Sequence, residues 1–231
     1  MPGSRQVRFS TQTLLVCTGI VLLSGPLWAA FRATWPVLVG ASFLGGAGLL
    51  LLWRRDVLSV RAVLWGALLL RIAYLPVGPG LTDDLYRYIW DGWLQWEGIN
   101  PYRFVPSDSA LVSYQDTSLY ESLNSQEYYS IYPPLSQLFF ALGGLAYDGH
   151  WATSYYVLKT LFVGVECIGV VVLTRLTSTR NVLLYAWNPL VLIETAGQGH
   201  TEALLALLLL TAVWAVRRRY GACASLAIAG A

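Results

Sequence analysis

Apolar residues fall along this chain in long blocks with short polar interruptions, and several blocks have the length of a membrane span. A bilayer core takes roughly 20 apolar residues per spanning helix. Residues 11–31, 35–53 and 57–77 form three such runs, and 154–173, 182–196 and 203–216 form three later ones. Hydrocarbon offers no partner to an unpaired backbone group, so segments that cross it must satisfy themselves as helices. The pattern predicts an all-α fold, a polytopic transmembrane helical bundle. Residues 77–133 break the rhythm: they hold eight of the 13 acidic residues and eight of the 14 tyrosines, opposed only by Arg87 and Arg103. A structureless loop of that length is uncommon in a compact protein, so this one is expected to be ordered and to carry function.

Inside that loop, residues 83–97 read as an amphipathic helix. Leu85, Ile89, Trp93 and Trp96 follow one face, and Asp84, Arg87, Asp91 and Gln95 another. Thr82 is placed to cap its start, and Gly98 followed by Asn100-Pro101 to stop it. With Trp90, Trp93 and Trp96 so close together, the helix is expected to lie in the headgroup region with its polar stripe at the membrane surface. Arg5 and Arg8 before the first run, and Arg54-Arg55 after the second, place those ends inside, which puts residues 77–133 on the outer face.

The next segment, residues 134–147, is apolar but only 14 residues long, and two readings are open. A full crossing puts Arg175, Arg180, Arg217, Arg218 and Arg219 outside. A half-span that dips in and returns puts all five inside and His200 outside. The positive-inside rule favours the half-span, provided protein covers its irregular backbone.

Composition sharpens this picture only in part. Apolar residues make up 56% of the chain and charged residues 12%, against about 25% charged in soluble domains. The net charge of +2 implies no nucleic-acid partner, because the basic residues sit beside the apolar runs as topology determinants. Cys17, Cys167 and Cys223 all lie within apolar runs, have no metal-site spacing, and read as core or lipid-facing residues. Residues 11–30 also fit a signal peptide, with Arg5 and Arg8 as basic flank and Ala29-Ala30 near a cleavage site; the downstream orientation is the same either way. After Arg219 a new apolar run begins at Tyr220 and stops at Ala231. The chain is therefore expected to be one membrane domain, 1–231, truncated at its C-terminal side, with the extracytoplasmic loop 77–133 inserted within it.

Few residues could carry chemistry. Asp83 and Asp84 open the loop helix, pointing about 100° apart; one carboxylate can face a substrate while the other orients a partner. The helix N-terminus favours their ionised form, which suits a general base. Arg87, one turn on, can bind phosphate or pair with either of them. An acidic cap with an ion pair explains the same three residues. His200 and Glu202 follow Gly197-Gln198-Gly199 at a membrane boundary, where ionisable groups are costly; capping by Thr201 is the plainer account. Glu166 lies mid-span, with Arg71 as its candidate partner. No phosphate-cradling glycine loop, HExxH, paired CxxC or supported Ser-His-Asp set is present, and no metal site is assigned.

These segments together resemble a family. Leu81-Thr82-Asp83-Asp84-Leu85-Tyr86-Arg87-Tyr88-Ile89-Trp90-Asp91-Gly92, then Gly98-Ile99-Asn100-Pro101-Tyr102, resembles the first outer loop of bacterial GT-C glycosyltransferases, above all the polyprenol-phosphate-mannose-dependent α-mannosyltransferases. Tyr132-Pro133-Pro134-Leu135 resembles the motif where that loop re-enters the membrane. Trp187-Asn188-Pro189-Leu190, with Glu194 and Gly197-Gln198-Gly199-His200, resembles a later motif of the group. Order and approximate spacing agree across residues 81–203.

The resemblance implies a GT-C-like bundle in a bacterial plasma membrane, with an ordered outer loop bearing interfacial helices and chemistry on the outer face. It implies transfer of a hexose, mannose above all, from a polyprenyl-phosphate carrier to a glycan or glycolipid acceptor. Asp83 would be the base, with Asp84 as second candidate. Arg87 and His200 would steady the departing phosphate, and Tyr88, Asp91, Asn100, Tyr132 and Glu202 would complete the substrate site. A single displacement inverts the sugar carbon. No cofactor is required, and the residues leave open whether a divalent cation assists. The family's His-Asn-Asp stands here as His200-Thr201-Glu202. Two other functions fit the composition: a non-catalytic module that binds or moves a lipid-linked glycan, and an ion-coupled transporter built on Glu166 and Arg71.

Overall fold

The structure, a computed structural model, describes residues 11–32 and 34–230, the side chains of 11–17 and 20–22 excepted. Arg5 and Arg8, the expected inner flank of the first helix, lie outside the described residues, as does the side chain of Cys17. Every regular element described is helical. Three helices come first: α1 (Thr11–Arg32), α2 (Trp35–Arg55) and α3 (Val60–Tyr74). The loop then carries α4 (Asp84–Trp96) and two single turns, α5 (Val112–Gln115) and α6 (Ser118–Glu121). After it come α7 (Pro134–Gly144), α8 (Trp151–Leu173), α9 (Thr179–Ala186) and α10 (Pro189–Leu192), the last running into a π-helical turn, Ile193–Gly197. The chain then continues through α11 (Glu202–Arg217) and α12 (Gly221–Gly230).

Among the described residues, α2 and α8 are long and apolar enough to cross a membrane, and a third span exists if α10, the π turn and α11 count as one. That unit is bent by 117° at its break. Two expected spans come out shorter. Helix α3 has 15 residues, about 22 Å at 1.5 Å per residue. The run 182–196 is not one helix, because Pro189 has no N–H and restrains the residue before it. Asn188 instead caps the new turn, its Oδ1 accepting from the Leu190 N–H at 3.0 Å.

Helix α7, with 11 residues, is too short to cross. It lies against α4 with the two backbones almost touching: a Cβ on Gly92 would sit 1.9 Å from the Phe140 carbonyl oxygen, and one on Gly144 2.2 Å from the Gly92 carbonyl carbon. Trp96 Nε1 donates to the Ala141 carbonyl at 2.6 Å, and Gln95 Nε2 to Gln137 Oε1 at 2.9 Å. Segment 134–147 thus stays beside α4. Meanwhile Arg180 stacks on the Trp53 ring at 3.7 Å and Arg217 Nη1 donates to the Leu176 carbonyl at 2.7 Å. These contacts gather Trp53, Asn181, Arg180 and Arg217 at one end of the bundle, as the half-span reading requires.

Helix α4 departs from the surface helix expected. Leu85 and Ile89 of its apolar face are fully buried, while Trp96 is 56% exposed, and Arg87 and Asp91 of its polar stripe are buried too. Spaced i,i+4, these two pair at 2.7 Å. Asp91 also accepts from Ser130 Oγ (2.5 Å) and Gln137 Nε2 (2.8 Å), while Arg87 Nη1 donates to the Ser125 and Tyr128 carbonyls at 3.1 and 2.9 Å. Complementary charge and a full donor set let the stripe be covered instead of solvated. The apolar core lies in two clusters that share α8, one joining it to α1, α2, α3, α9, α10 and the π turn, the other to α4, α7 and the start of α11.

A buried ion pair links the two. Arg71 on α3 donates to Glu166 on α8 through Nε at 3.0 Å and Nη2 at 2.7 Å, both side chains being at most 1% exposed. Thr195 Oγ1, from the π turn, donates to Glu166 Oε2 at 2.5 Å. Removing one partner of a buried pair leaves an uncompensated charge and costs about 3–5 kcal/mol, whereas apolar replacement of both is often neutral. Glu166→Ala is therefore expected to lower the detergent unfolding midpoint sharply, and Arg71→Met/Glu166→Leu to recover only part of the loss in a double-mutant cycle, because the Ala186 carbonyl that Arg71 Nη1 serves at 2.9 Å loses its donor.

Candidate active site

The site is built where three irregular stretches meet: the exit of α3, the start of α4 and the π turn. At the exit of α3 the last carbonyls have no helical partner. The chain's single lysine, Lys159 on α8, supplies donors: its Nζ lies 2.7 Å from the Leu75 carbonyl and 2.6 Å from that of Val77, and the side chain is fully buried. Tyr155 Oη adds a bond to the Val77 carbonyl at 2.9 Å and reaches that of Gly197 at 3.3 Å. These bonds fix the irregular segment that leads through Leu81 and Thr82 into Asp83.

Helix α4 begins at Asp84, whose N–H donates to Thr82 Oγ1 at 3.3 Å. Asp83 is exposed and Asp84 half-buried. Asn124, from the far side of the loop, holds both carboxylates, its Nδ2 donating to Asp83 Oδ1 at 2.6 Å and lying 3.4 Å from Asp84 Oδ1. The two acids look different ways. Asp83 acts electrostatically on Tyr86, whereas Asp84 acts on Tyr88, Tyr132 and His200. Tyr88 is stacked on Phe140 at 4.4 Å and meets Tyr132 edge-on at 4.9 Å, with its hydroxyl near Thr201. Burial, aided by Asp84, pushes the Tyr132 hydroxyl up to about 12, and burial raises Tyr88 as well. Both remain neutral donors beside Asp84 and Glu202.

The π turn delivers the histidine. Gly199 has φ +77, the left-handed region that favours glycine, and a Cβ there would sit 2.6 Å from Leu85 Cδ1. The chain doubles back, so the His200 N–H reaches the Glu194 carbonyl at 3.1 Å and Nδ1 sits 2.6 Å from Glu194 Oε2. Burial lowers the basicity of His200, but the bond to Glu194 and the charges of Glu194, Glu202 and Asp84 outweigh it and hold the imidazole above its ordinary 6.5.

Beside this turn, α2 and α10 enclose an open apolar cavity of about 840 Å³. Trp35, Val39, Phe43 and Leu50 line its apolar part, and Thr82, Glu194, Gln198 and His200 belong to its polar wall. An apolar groove next to paired carboxylates, neutral hydroxyls and a histidine suits a substrate with a lipid tail and a polar head. Residues 4–231 match the profile described as alpha-(1->6)-mannopyranosyltransferase, N-terminal domain.

The chain belongs to this mannosyltransferase family. No curated protein and no solved structure gave a match. The family assigns the chain to the glycosyltransferases.

Of the residues expected at the mannosyltransferase site, Asp83, Asp84, Tyr88, Tyr132, His200 and Glu202 come together. Three do not join them. Arg87 neither pairs with Asp83 or Asp84 nor faces the groove, being 3% exposed and committed to Asp91, Ser125 and Tyr128. Asp91 is fully buried in that cluster. Asn100 shapes its own turn, its Oδ1 accepting from the Tyr102 N–H at 2.9 Å. Among the described residues no group of three or more His, Cys, Asp or Glu side chains has a metal-binding arrangement. Asn124, Lys159, Glu194 and Gln198 join the site without having been assigned to it. A lone lysine inside an apolar span was itself a signal; Asn124, 41 residues from Asp83, carried none.

Because its folded value is raised, His200 contributes stability that is fully present below pH 6.5 and is lost as pH rises through the folded value. The unfolding midpoint in detergent is expected to fall as the pH is raised above about 6.5, and Glu194→Gln to flatten that decline.

Proposed function

We propose that this mannosyltransferase takes its sugar from a polyprenyl-phosphate-linked mannose and passes it to a glycan or glycolipid acceptor at the outer membrane face. One observation carries the reading: the apolar cavity ends at a polar wall beside the Asp83–Asp84 pair. A nucleotide-linked donor would have no use for such a groove. The arginine cluster around Arg180 and Arg217 marks the opposite end as the inner one by the positive-inside rule, which supports chemistry at the outer end.

Asp83 is the base of this reading. Exposed and oriented by Asn124, it takes the proton of an acceptor hydroxyl as that oxygen bonds to the anomeric carbon. The bond from that carbon to the phosphate oxygen breaks, and the polyprenyl phosphate leaves with the bonding pair. A phosphate is already a good leaving group, so the work left to the protein is positioning and proton removal. Attack opposite the leaving group inverts the carbon, so an α product calls for a β-linked donor. His200, whose charged form the bond to Glu194 favours, faces the leaving phosphate, and charge there is stabilised by a fixed donor. Glu202 and, less strongly, Asp84 add to the effect of Glu194 in favouring the charged form of His200. Tyr88, Tyr132 and Glu202 bound the sugar between the two. Arg87, Asp91 and Asn100 hold the loop in shape.

The test is mannosyl transfer from labelled polyprenyl-phosphate-mannose by the full chain in detergent. Asp83→Asn is expected to lower kcat by about 100-fold or more with the unfolding midpoint preserved. Asp84→Asn is expected to lower transfer less than Asp83→Asn does. Transfer that survives both substitutions would overturn the assignment of the base, and lipid binding without transfer of any lipid-linked sugar would favour the carrier.

A further inference from the structure

Among the described residues, six buried side-chain polar atoms lack a hydrogen-bond partner, and three of them, Ser42 Oγ, Gln198 Nε2 and His200 Nε2, belong to residues lining the apolar cavity beside α2. A buried donor without a partner costs about 1–3 kcal/mol. Two such nitrogens on one short turn therefore mark a place where a partner belongs. Gln198 is the more telling of the two, because its side chain is 1% exposed and its other end is in use. Its Oε1 accepts the Leu81 N–H at 3.2 Å, which fixes the amide: the nitrogen is the free end. Both orphans are N–H donors when His200 is protonated, so the ligand they fit is an acceptor, and an anionic oxygen fits best.

The cations nearest this place are spent elsewhere. Arg87 is committed to Asp91 and two carbonyls, Lys159 to the carbonyls of Leu75 and Val77, and Arg71 to Glu166. We propose that Gln198 is a ligand of the donor phosphate, its Nε2 and His200 Nε2 each donating to a phosphoryl oxygen, while its Oε1 ties that phosphate to the segment bearing Asp83. The idea rests on the lipid-phosphate donor proposed above. It adds a residue to the site and a reason for its place. Leu81 lies two residues before Asp83, so one amide registers the leaving group against the base. Glutamine suits this task because it offers a donor and an acceptor on one rigid group.

The experiment measures binding of polyprenyl phosphate and of the matching polyprenol, which lacks the phosphate, to the full chain in detergent. Wild type, Gln198→Glu and Gln198→Met are compared. The readout is the preference for phosphate over alcohol within each protein, a ratio unaffected by any loss of folded material. Wild type is expected to prefer the phosphate, and both variants to lose roughly ten-fold or more of that preference, with polyprenol binding nearly unchanged. Gln198→Met matters because it removes the donor without adding a charge. If it keeps the wild-type preference, Gln198 is not a phosphate ligand, even where Gln198→Glu loses it by repulsion. If wild type itself shows no preference for the phosphate, the lipid-phosphate donor fails and the inference falls with it. A change in polyprenol binding equal to that in phosphate binding would show a structural role only.

Discussion

The bidentate bond between Arg71 and Glu166 sets the terms for the rest of the molecule. Two charges in an apolar bundle are costly unless fully paired, and here the pair repairs backbone as well as charge. The Ala186 carbonyl ends α9 just before the Asn188-Pro189 break, and the N–H that would normally serve it, that of Leu190, is bonded to Asn188 Oδ1. Arg71 Nη1 donates to Ala186 in its place at 2.9 Å. Glu166 in turn anchors the π turn through Thr195. One ion pair thus allows a helix to break inside the bundle without leaving its carbonyls orphaned, and the break is what aims Gln198 and His200.

Lys159 does the same for the other irregular stretch. Its ammonium sits where α3 ends early, donating to carbonyls that no helix and no water would serve. Both buried cations act as caps placed from a neighbouring helix, at the negative ends of helices, where cations are favoured. Trp187 completes the arrangement by volume instead of charge. Its indole fills space left by Gly19 and Gly66, where a Cβ would come within 2.4 and 2.1 Å of the ring, and Nε1 donates to the Val63 carbonyl at 2.9 Å. The Trp-Asn-Pro motif is therefore a wedge, a cap and a break in sequence, each with a separate physical task.

This explains what the amino-acid order could reveal. Long apolar runs name their own helices, because burial along 20 positions needs no tertiary detail, and α2 and α8 stand close to where the runs lie. Helix α4 was legible from its periodicity to within one residue at each end. Its environment was not. An i,i+4 pair such as Arg87 and Asp91 looks the same on a solvated face as beneath a loop, and only Ser130 and Gln137, 39 and 46 residues from Asp91, decide that it is covered. The linked motifs brought Asp83, Asp84 and His200 to one place. Asn124 stayed hidden because a polar residue in a polar loop carries no signal until its partner is known, and Gln198 because its neighbours supply most of its meaning.

A transfer that takes a sugar from a membrane-held carrier, as proposed above, has to occur at a boundary, and the boundary restricts which elements can host it. A helix that runs straight through presents only side chains there. A helix that stops presents backbone ends, turns of unusual geometry and charges that would be intolerable deeper in hydrocarbon. The chain uses two such stops, the exit of α3 and the π turn before α11, and stitches them together through Gln198 and Leu81. Each is stabilised from α8, by Lys159 and Glu166 respectively, so a single spanning helix holds both halves of the site in register. On this view the buried ionisable groups of α8 are not a conduction path. They are the frame that makes broken helices affordable at the one depth where sugar transfer needs them.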